Sequence, residues 1–370
     1  MELPKLTEKN KAKPHPSPLD EIKNVSKDIV QKNLSKAQKS ITIHSPKNKK
    51  RKIIFRNSQS PGDIMMLTAA VRDLKKSYPE FQIDCRTSAS EIWENNPYIT
   101  KLNEKEKNVE QYKLNYPLIH SSNEGQYHFI HSFRKEIEKI LKIKIEPTDF
   151  KGDIHLSKDE KSWISQVEEM GVKDDFWIIM AGGKKDFTCK WWSPDYYQEV
   201  VDHFEGKITF VQCGQKDHWH PKLNNVIDLI GKTDFRQFIR LIYHSVGVVC
   251  PVTFAMHAAA AIEMKKNPPM NRPCVVISGG REPVQWESYP HHRFLAINGS
   301  LDCCDNGGCW KSRCQKVGDG DEKDKKELCL YPIRIKKDLS IPRCMNMIKP
   351  FDVIRSIEWY YEGGMLKYNK

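Results

Sequence analysis

Six of the chain's eleven cysteines fall between Cys303 and Cys344, the densest concentration of reactive side chains in the sequence. The first twenty residues are polar and rich in Pro and Lys, with no apolar stretch of the kind that directs secretion. The expected compartment is therefore the cytoplasm, where a cysteine cluster points to metal binding more than to disulfides. Two cysteines five residues apart around a Gly-containing knuckle can bite one ion. Cys329 and Cys344 can then close a tetrahedral thiolate site of the kind zinc and iron both accept. The spacing is not the usual C-x2-C pair, so buried free thiols or a redox pair are the competing readings. Four thiolates would leave no open coordination position, which makes such a site structural. The nearby acidic stretch 318–324 lacks the full ligand spacing of a calcium loop and reads as a solvated loop. Cys85, Cys189, Cys213, Cys250 and Cys274 mostly sit in apolar, strand-like surroundings and read as small buried hydrophobes.

A second kind of chemistry is written at the strand ends. Small or polar residues follow the apolar runs at Pro61-Gly62-Asp63, Ala181-Gly182-Gly183, Gly214, Gly231, Thr253 and Gly279-Gly280. Backbone N–H groups at such turns, with a helix beginning behind them, form anion sites of the sort a nucleotide diphosphate needs. Any α/β protein has turns like these, so the elements around them must carry more of the argument. Residues 53–55 read as a strand, 64–77 as an amphipathic helix and 81–86 as a second strand, which is a βαβ unit. Residues 127–142 read as a further helix. A boundary is expected near 146–160. After it, strands at 176–180, 208–212, 225–230, 247–251 and 274–278 alternate with helices at 194–204, 235–243 and 255–263, as in a doubly wound parallel sheet. A last helix, 350–361, would close the second domain or cross back to the first.

Composition fits this plan. The chain has 370 residues, 39% of them hydrophobic and 29% charged, enough for two α/β domains. No run of apolar residues is long enough to span a membrane. Of the formal charge of +12, most lies in residues 1–52, where fourteen Lys/Arg stand against five Asp/Glu. That segment reads as a solvated, partly disordered basic leader. Contact with a membrane surface, a polyanion or another subunit is the functional alternative. The remainder is only slightly basic, which argues against a nucleic-acid partner.

Three stretches resemble glycosyltransferase family 9, the ADP-heptose:lipopolysaccharide heptosyltransferases. They are Pro61-Gly62-Asp63-Ile64-Met65-Met66-Leu67-Thr68, then Lys190-Trp191-Trp192-Ser193-Pro194-Asp195-Tyr196-Tyr197, and lastly Leu229-Ile230-Gly231-Lys232-Thr233-Asp234 with Thr253 and Met256-His257-Ala258-Ala259-Ala260. They match in order and separation over roughly residues 53–300. The resemblance implies a GT-B fold, two Rossmann-like α/β domains facing a cleft. It also implies an inverting sugar transfer from a nucleotide-diphosphate donor, ADP-linked and heptose-like, without a catalytic metal. On that basis Asp63 is the expected general base for the acceptor hydroxyl, although an Asp there also suits a helix N-cap. Lys190 would face the donor diphosphate. Thr253, Met256 and His257 would contribute donor contacts at a helix start, and Gly279, Gly280, Arg281 and Glu282 would lie by the ribose or sugar. The acceptor would be a glycan, a lipopolysaccharide core or a protein hydroxyl, reached at the inner membrane face if the leader binds there.

The chain departs from the family at Pro251-Val252-Thr253-Phe254, where Asp-Ser/Thr-Gly is usual; Val252 takes the acidic position and Phe254 that of the glycine. This leaves heptose insecure as the donor sugar. The cysteine region further resembles the iron-binding finger of the autotransporter heptosyltransferase branch. That likeness selects Cys304, Cys309, Cys329 and Cys344 as ligands of a structural iron or zinc, with Cys303 or Cys314 as substitutes. The expected organisation is a leader over 1–52, an acceptor-side domain over 53–150, a donor-side domain over 151–300, a finger over 301–348 and a C-terminal helix over 349–370. Two other functions fit the same architecture: a nucleotide-sugar epimerase or hydrolase, and a scaffold that kept the fold without turnover.

Overall fold

Two separate parallel sheets account for the two runs of alternating elements. The computed structural model describes residues 50–116, 118–265 and 272–369. Nearly all of the basic leader therefore lies outside the described residues. In the first sheet, β1 (Lys52–Asn57) is central, flanked by β2 (Gln82–Thr87) and β3 (Val109–Lys113), all parallel. Ile53, Ile54 and Phe55 are completely buried, as the middle strand of a covered parallel sheet requires. Between β1 and β2 runs α1 (Pro61–Ser77), which starts three residues before the expected helix because Pro61 is pre-set for the first helical position. Its residues from Ile64 to Leu74 are buried throughout. The expected helix at 127–142 is α2 (Ser132–Leu141), preceded by a turn of 3-10 helix at Phe129–His131.

The second sheet has six parallel strands: β4 (Phe176–Ile179), β5 (Thr209–Gln212), β6 (Ile227–Asp228), β7 (Gly247–Pro251), β8 (Cys274–Gly279) and β9 (His292–Ala296). Their spatial order is β6-β5-β4-β7-β8-β9. This is the Rossmann order, and it reverses direction between β4 and β7, the switch point at whose carboxyl end ligands bind. The crossovers include α3 (Pro194–His203), α4 (Phe235–His244) and α5 (Phe254–Ala261). A continuous apolar core runs from the first sheet through α1 and α5 to one face of the second. The other face is covered by α3 and by the last helix, α7 (Pro350–Glu362), whose Tyr361 hydroxyl accepts from Trp177 Nε1 at 2.9 Å. The last helix thus closes the second sheet and does not cross to the first.

At the edge of β4 the indole of Trp177 lies on Gly247, and a methyl group there would run into the ring. Trp177 is completely buried and cannot swing away. The variant Gly247→Ala is expected to destabilise the protein by about 1–3 kcal/mol, the usual range for overpacking, read as a fall of several degrees in the thermal unfolding midpoint.

Between β9 and α7 lie the cysteine-rich segment, the antiparallel hairpin β10 (Pro332–Lys336) and β11 (Leu339–Pro342), and the short helix α6 (Arg343–Met347).

Candidate active site at the switch point

Asp63 is the third residue of α1. The helix is capped by Ser60, whose N–H donates to Asp63 Oδ2 at 3.0 Å, so Asp63 braces the cap from inside the first turn. Burial pushes its carboxyl up to about 6, against the opposing hydrogen bond from Tyr116 and with the help of the nearby Glu287 carboxylate. Gly62 is what lets the two sheets meet here. A Cβ at Gly62 would stand 3.3 Å from His257 Cδ2, so the glycine brings the N-terminus of α1 against α5. His257 is buried, with Nδ1 sharing a 2.9 Å hydrogen bond with the Tyr289 hydroxyl and Nε2 lying 3.2 Å from Glu287 Oε2. Nδ1 is thus hydrogen-bonded within the protein and Nε2 faces Glu287, so a donor contact through Nδ1 would require giving up the Tyr289 bond. Tyr289 in turn contacts Met66 Sδ of α1 at 3.3 Å. This cluster joins the two halves of the molecule.

Lys190 and Thr253 meet at the switch point. Lys190 ends the segment that follows β4, and Thr253 follows β7. The ammonium of Lys190 donates to the Val252 carbonyl at 3.0 Å and lies 2.8 Å from Glu282 Oε1. Thr253 is the N-cap of α5, but its buried hydroxyl has no hydrogen-bond partner among the described residues. A buried hydroxyl at a helix start is normally satisfied, and this one is not. Met256 contributes no side chain here: it is fully buried in the core and its N–H bonds the Thr253 carbonyl at 3.1 Å. Val252 is buried, and Phe254 packs on Phe235 with ring centres 4.7 Å apart, so these two positions serve packing.

The loop after β8 adds charge. Glu282 is buried between Arg281 and Lys190; burial opposes its ionisation, but the two cations overcome this and hold the carboxyl below the usual carboxylate range. Arg281 is itself buried, donates from Nε to the Lys311 carbonyl at 2.6 Å, and lies over the Phe187 and Trp310 rings at 5.3 and 5.4 Å. Gly279 and Gly280 face the cysteine-rich segment: a Cβ on either would press on Met345, Cys344 or Cys304. Cys309 N–H and Trp310 N–H bond the carbonyls of Gly280 and Arg281. The loop is thus gripped by the cysteine-rich segment on one side and by Lys190 on the other.

The cysteines group differently from the expected set. Among the described residues, ligand-distance geometry brings together the sulfurs of Cys189, Cys314 and Cys329, within 4.8 Å of one another. Of the four expected ligands only Cys329 is in this group. Cys304 turns its sulfur to the Leu301 carbonyl at 3.3 Å, while Cys309 and Cys344 line a small cavity beside Cys189 and Cys329, together with Cys303. The neighbouring thiols of Cys189 and Cys314 favour the Cys329 thiolate and push it below the ordinary thiol range.

Tyr116, Glu287, Tyr289 and Cys189 escaped the sequence-based reading as members of these sites. No local spacing marks them. Cys189 adjoins Lys190, yet its sulfur partners lie 125 and more residues away.

A Rossmann sheet with polar groups gathered at its switch point, packed through α1 and α5 against a second parallel sheet, is a GT-B-like architecture. The model of glycosyltransferase family 9 (heptosyltransferase) matches residues 102–315, more than half of the chain, and the chain belongs to that family. It is 25% identical over 181 residues to lipopolysaccharide heptosyltransferase 3 of Escherichia coli (strain K12); that stretch is 44% of this chain and 49% of the relative, so the chain matches about half the relative's length. A family 9 glycosyltransferase from Veillonella parvula DSM 2008 superposes with a TM-score of 0.57 at 14% identity, over 83% of this chain and 96% of that one. The dodecameric iron-containing heptosyltransferase TibC, solved with ADP-D-β-D-heptose, gives 0.55 at 14% identity, over 85% and 76%; TibC comes from enterotoxigenic E. coli H10407. At these identities the solved structures establish the fold.

Proposed function

We propose that the chain is an inverting glycosyltransferase that moves a heptose-like sugar from an ADP-linked donor to a hydroxyl of a glycan or protein. The observation that carries this is the convergence of Lys190 and the unpartnered Thr253 hydroxyl at the switch point, with Asp63 on the facing helix terminus. The donor diphosphate would lie against the start of α5, where helix N–H groups, the Thr253 hydroxyl and the Lys190 ammonium meet its charge. Asp63 would take the acceptor proton as that oxygen attacks the anomeric carbon. The sugar–phosphate bond then breaks, and the nucleoside diphosphate leaves with the bond's electrons. Arg281 and Glu282 set the position of Lys190. Residues 53–150 would present the acceptor and 151–300 the donor.

A structural iron or zinc fits the cysteine-rich segment. Metal–thiolate bonds of 2.3 Å in a tetrahedron place sulfurs about 3.8 Å apart, and Cys189 and Cys314 stand 3.8 Å apart. Bound there, the ion would supply a crosslink and no reaction step. No helix among the described residues is long and apolar enough to cross a membrane. Action at the inner membrane face would rest on the basic leader.

Incubation with ADP-heptose and a lipopolysaccharide-core acceptor tests the function, with the anomeric configuration of the product read by NMR. The expected product carries the configuration opposite to the donor; retention would sink the inverting mechanism. The substitution Thr253→Val keeps the side chain's shape but removes the orphaned hydroxyl. It should leave the unfolding midpoint unchanged and weaken ADP binding roughly tenfold, the worth of one hydrogen bond to a charged group. Unchanged affinity would remove Thr253 from the site.

The buried pair Glu282 and Glu287 favours a second reading, because an epimerase or hydrolase needs acidic groups in the donor half. Free or epimerised sugar released from the donor without any acceptor would support it.

A further inference from the structure

We infer that Cys189, on the loop that carries Lys190, is itself a metal ligand, so that one ion staples the cysteine-rich segment to the donor-side loop. This rests on the structural-metal reading above and extends it to a residue outside that segment. Cys189 is buried, and its sulfur lies 3.8 Å from Cys314 and within 4.8 Å of Cys329.

The backbone holds the trio in place from both sides. Cys189 N–H donates to the Ser312 carbonyl at 3.0 Å, and Cys314 N–H donates to the Thr188 hydroxyl at 2.7 Å. Cys329 N–H donates to the Arg313 carbonyl at 2.7 Å. Arg313, fully buried, pairs with Asp186 on the Cys189 loop and with Asp319 and Asp324 in the cysteine-rich segment. Three hydrogen bonds and three ion pairs thus hold the three thiols at ligand spacing before any ion arrives. Such preorganisation is not needed to bury three ordinary thiols.

The fourth thiolate comes from the cavity beside the trio, where Cys303, Cys309 and Cys344 face Cys189 and Cys329. Arg281, Lys311 and Arg343 line the same cavity. A divalent ion with four thiolates carries a net charge of about −2, which these cations would balance. The protons of the coordinating thiols leave to solvent as the ion enters, and no electrons are transferred.

Cys189 precedes Lys190, and Arg281 reaches Lys190 through Glu282. The ion therefore fixes the donor-facing ammonium by two routes.

The test is metal content and spectrum, not turnover. The wild-type chain and its Cys189→Ser, Cys189→His and Cys85→Ser variants are purified and loaded with cobalt(II). The wild type and Cys85→Ser are expected to bind one ion with the thiolate-to-cobalt charge-transfer band of a four-sulfur site. Cys189→Ser should bind at least roughly tenfold more weakly, and Cys189→His should bind with a weakened, shifted band. In the cadmium-substituted wild type, NMR should show scalar coupling between the metal and the Cys189 Hβ protons, a readout independent of any variant's folding. Full loading of Cys189→Ser with an unchanged spectrum, or absence of that coupling in a loaded wild type, would overturn the assignment of Cys189 and leave a metal held by the cysteine-rich segment alone. A wild type that binds no thiophilic metal would overturn the metal reading with it.

Discussion

The variant Asp63→Asn is expected to lower kcat by about 10²–10⁴-fold, the contribution of a positioned general base, while donor affinity stays unchanged. The asparagine can still accept the hydrogen bond from Ser60 N–H, so the start of α1 should survive. It cannot accept a proton. Asp63 is assigned to the acceptor and has no hydrogen bond to Lys190 or Thr253 among the described residues, so calorimetry with ADP should not distinguish variant from wild type. The wild-type pH profile follows from the same carboxyl. Burial, aided by Glu287, pushes its pKa up to about 6 against the Tyr116 hydrogen bond. A base must be ionised to act, so kcat/KM should fall tenfold per pH unit below about pH 6 and level above it. Asp63→Asn should abolish this limb. A variant with near-normal kcat and the same limb would show that Asp63 only braces the helix cap.

Lys190→Ala is expected to cost about 10²–10³-fold in kcat, the usual loss when one group that stabilises developing charge is removed, and to weaken ADP binding as well. The ammonium bonds both the Val252 carbonyl and Glu282. Removing one partner of a buried pair can cost about 3–5 kcal/mol in stability. Here Arg281 remains beside Glu282 and keeps that carboxylate neutralised, so the variant should still fold. Measuring the unfolding midpoint alongside the kinetics separates the two effects. Loss of activity without loss of ADP affinity would place Lys190 in support of the loop and not at the diphosphate.

Much of the second sheet was legible because its strands are buried on both faces and read as short apolar runs ending in Gly or Pro, as at Gly247–Pro251 and Cys274–Gly279. β3 and β9 were not, and each lies at a sheet edge: Val109–Lys113 alternates partly exposed with exposed residues, and His292–Ala296 is buried only at His292. A half-covered edge strand carries too little apolar signal to stand out. At the site, Asp63, Lys190 and Thr253 could be named because each lies in a stretch resembling family 9. Tyr116, Glu287 and Tyr289 could not: Tyr116 reaches Asp63 from the far end of β3, and Glu287 and Tyr289 meet His257 of α5, which packs on Gly62. Cys189 was read as a small buried hydrophobe, and it is buried; its place beside Cys314 and Cys329 was not legible for the same reason. Its sulfur partners come from a segment folded back over the loop.

The account turns on whether a nucleotide sugar binds at the switch point between β4 and β7. Calorimetric titration of ADP-, UDP- and GDP-sugars into the wild type and into folded Lys190→Ala answers this most directly. Tight binding of the ADP-sugar, weakened at least roughly tenfold by removing the charge-assisted contact, is the expected result. If none of the three binds the wild type, the chain is a scaffold that keeps the fold without a donor, and the roles given to Asp63, Lys190 and Thr253 are wrong.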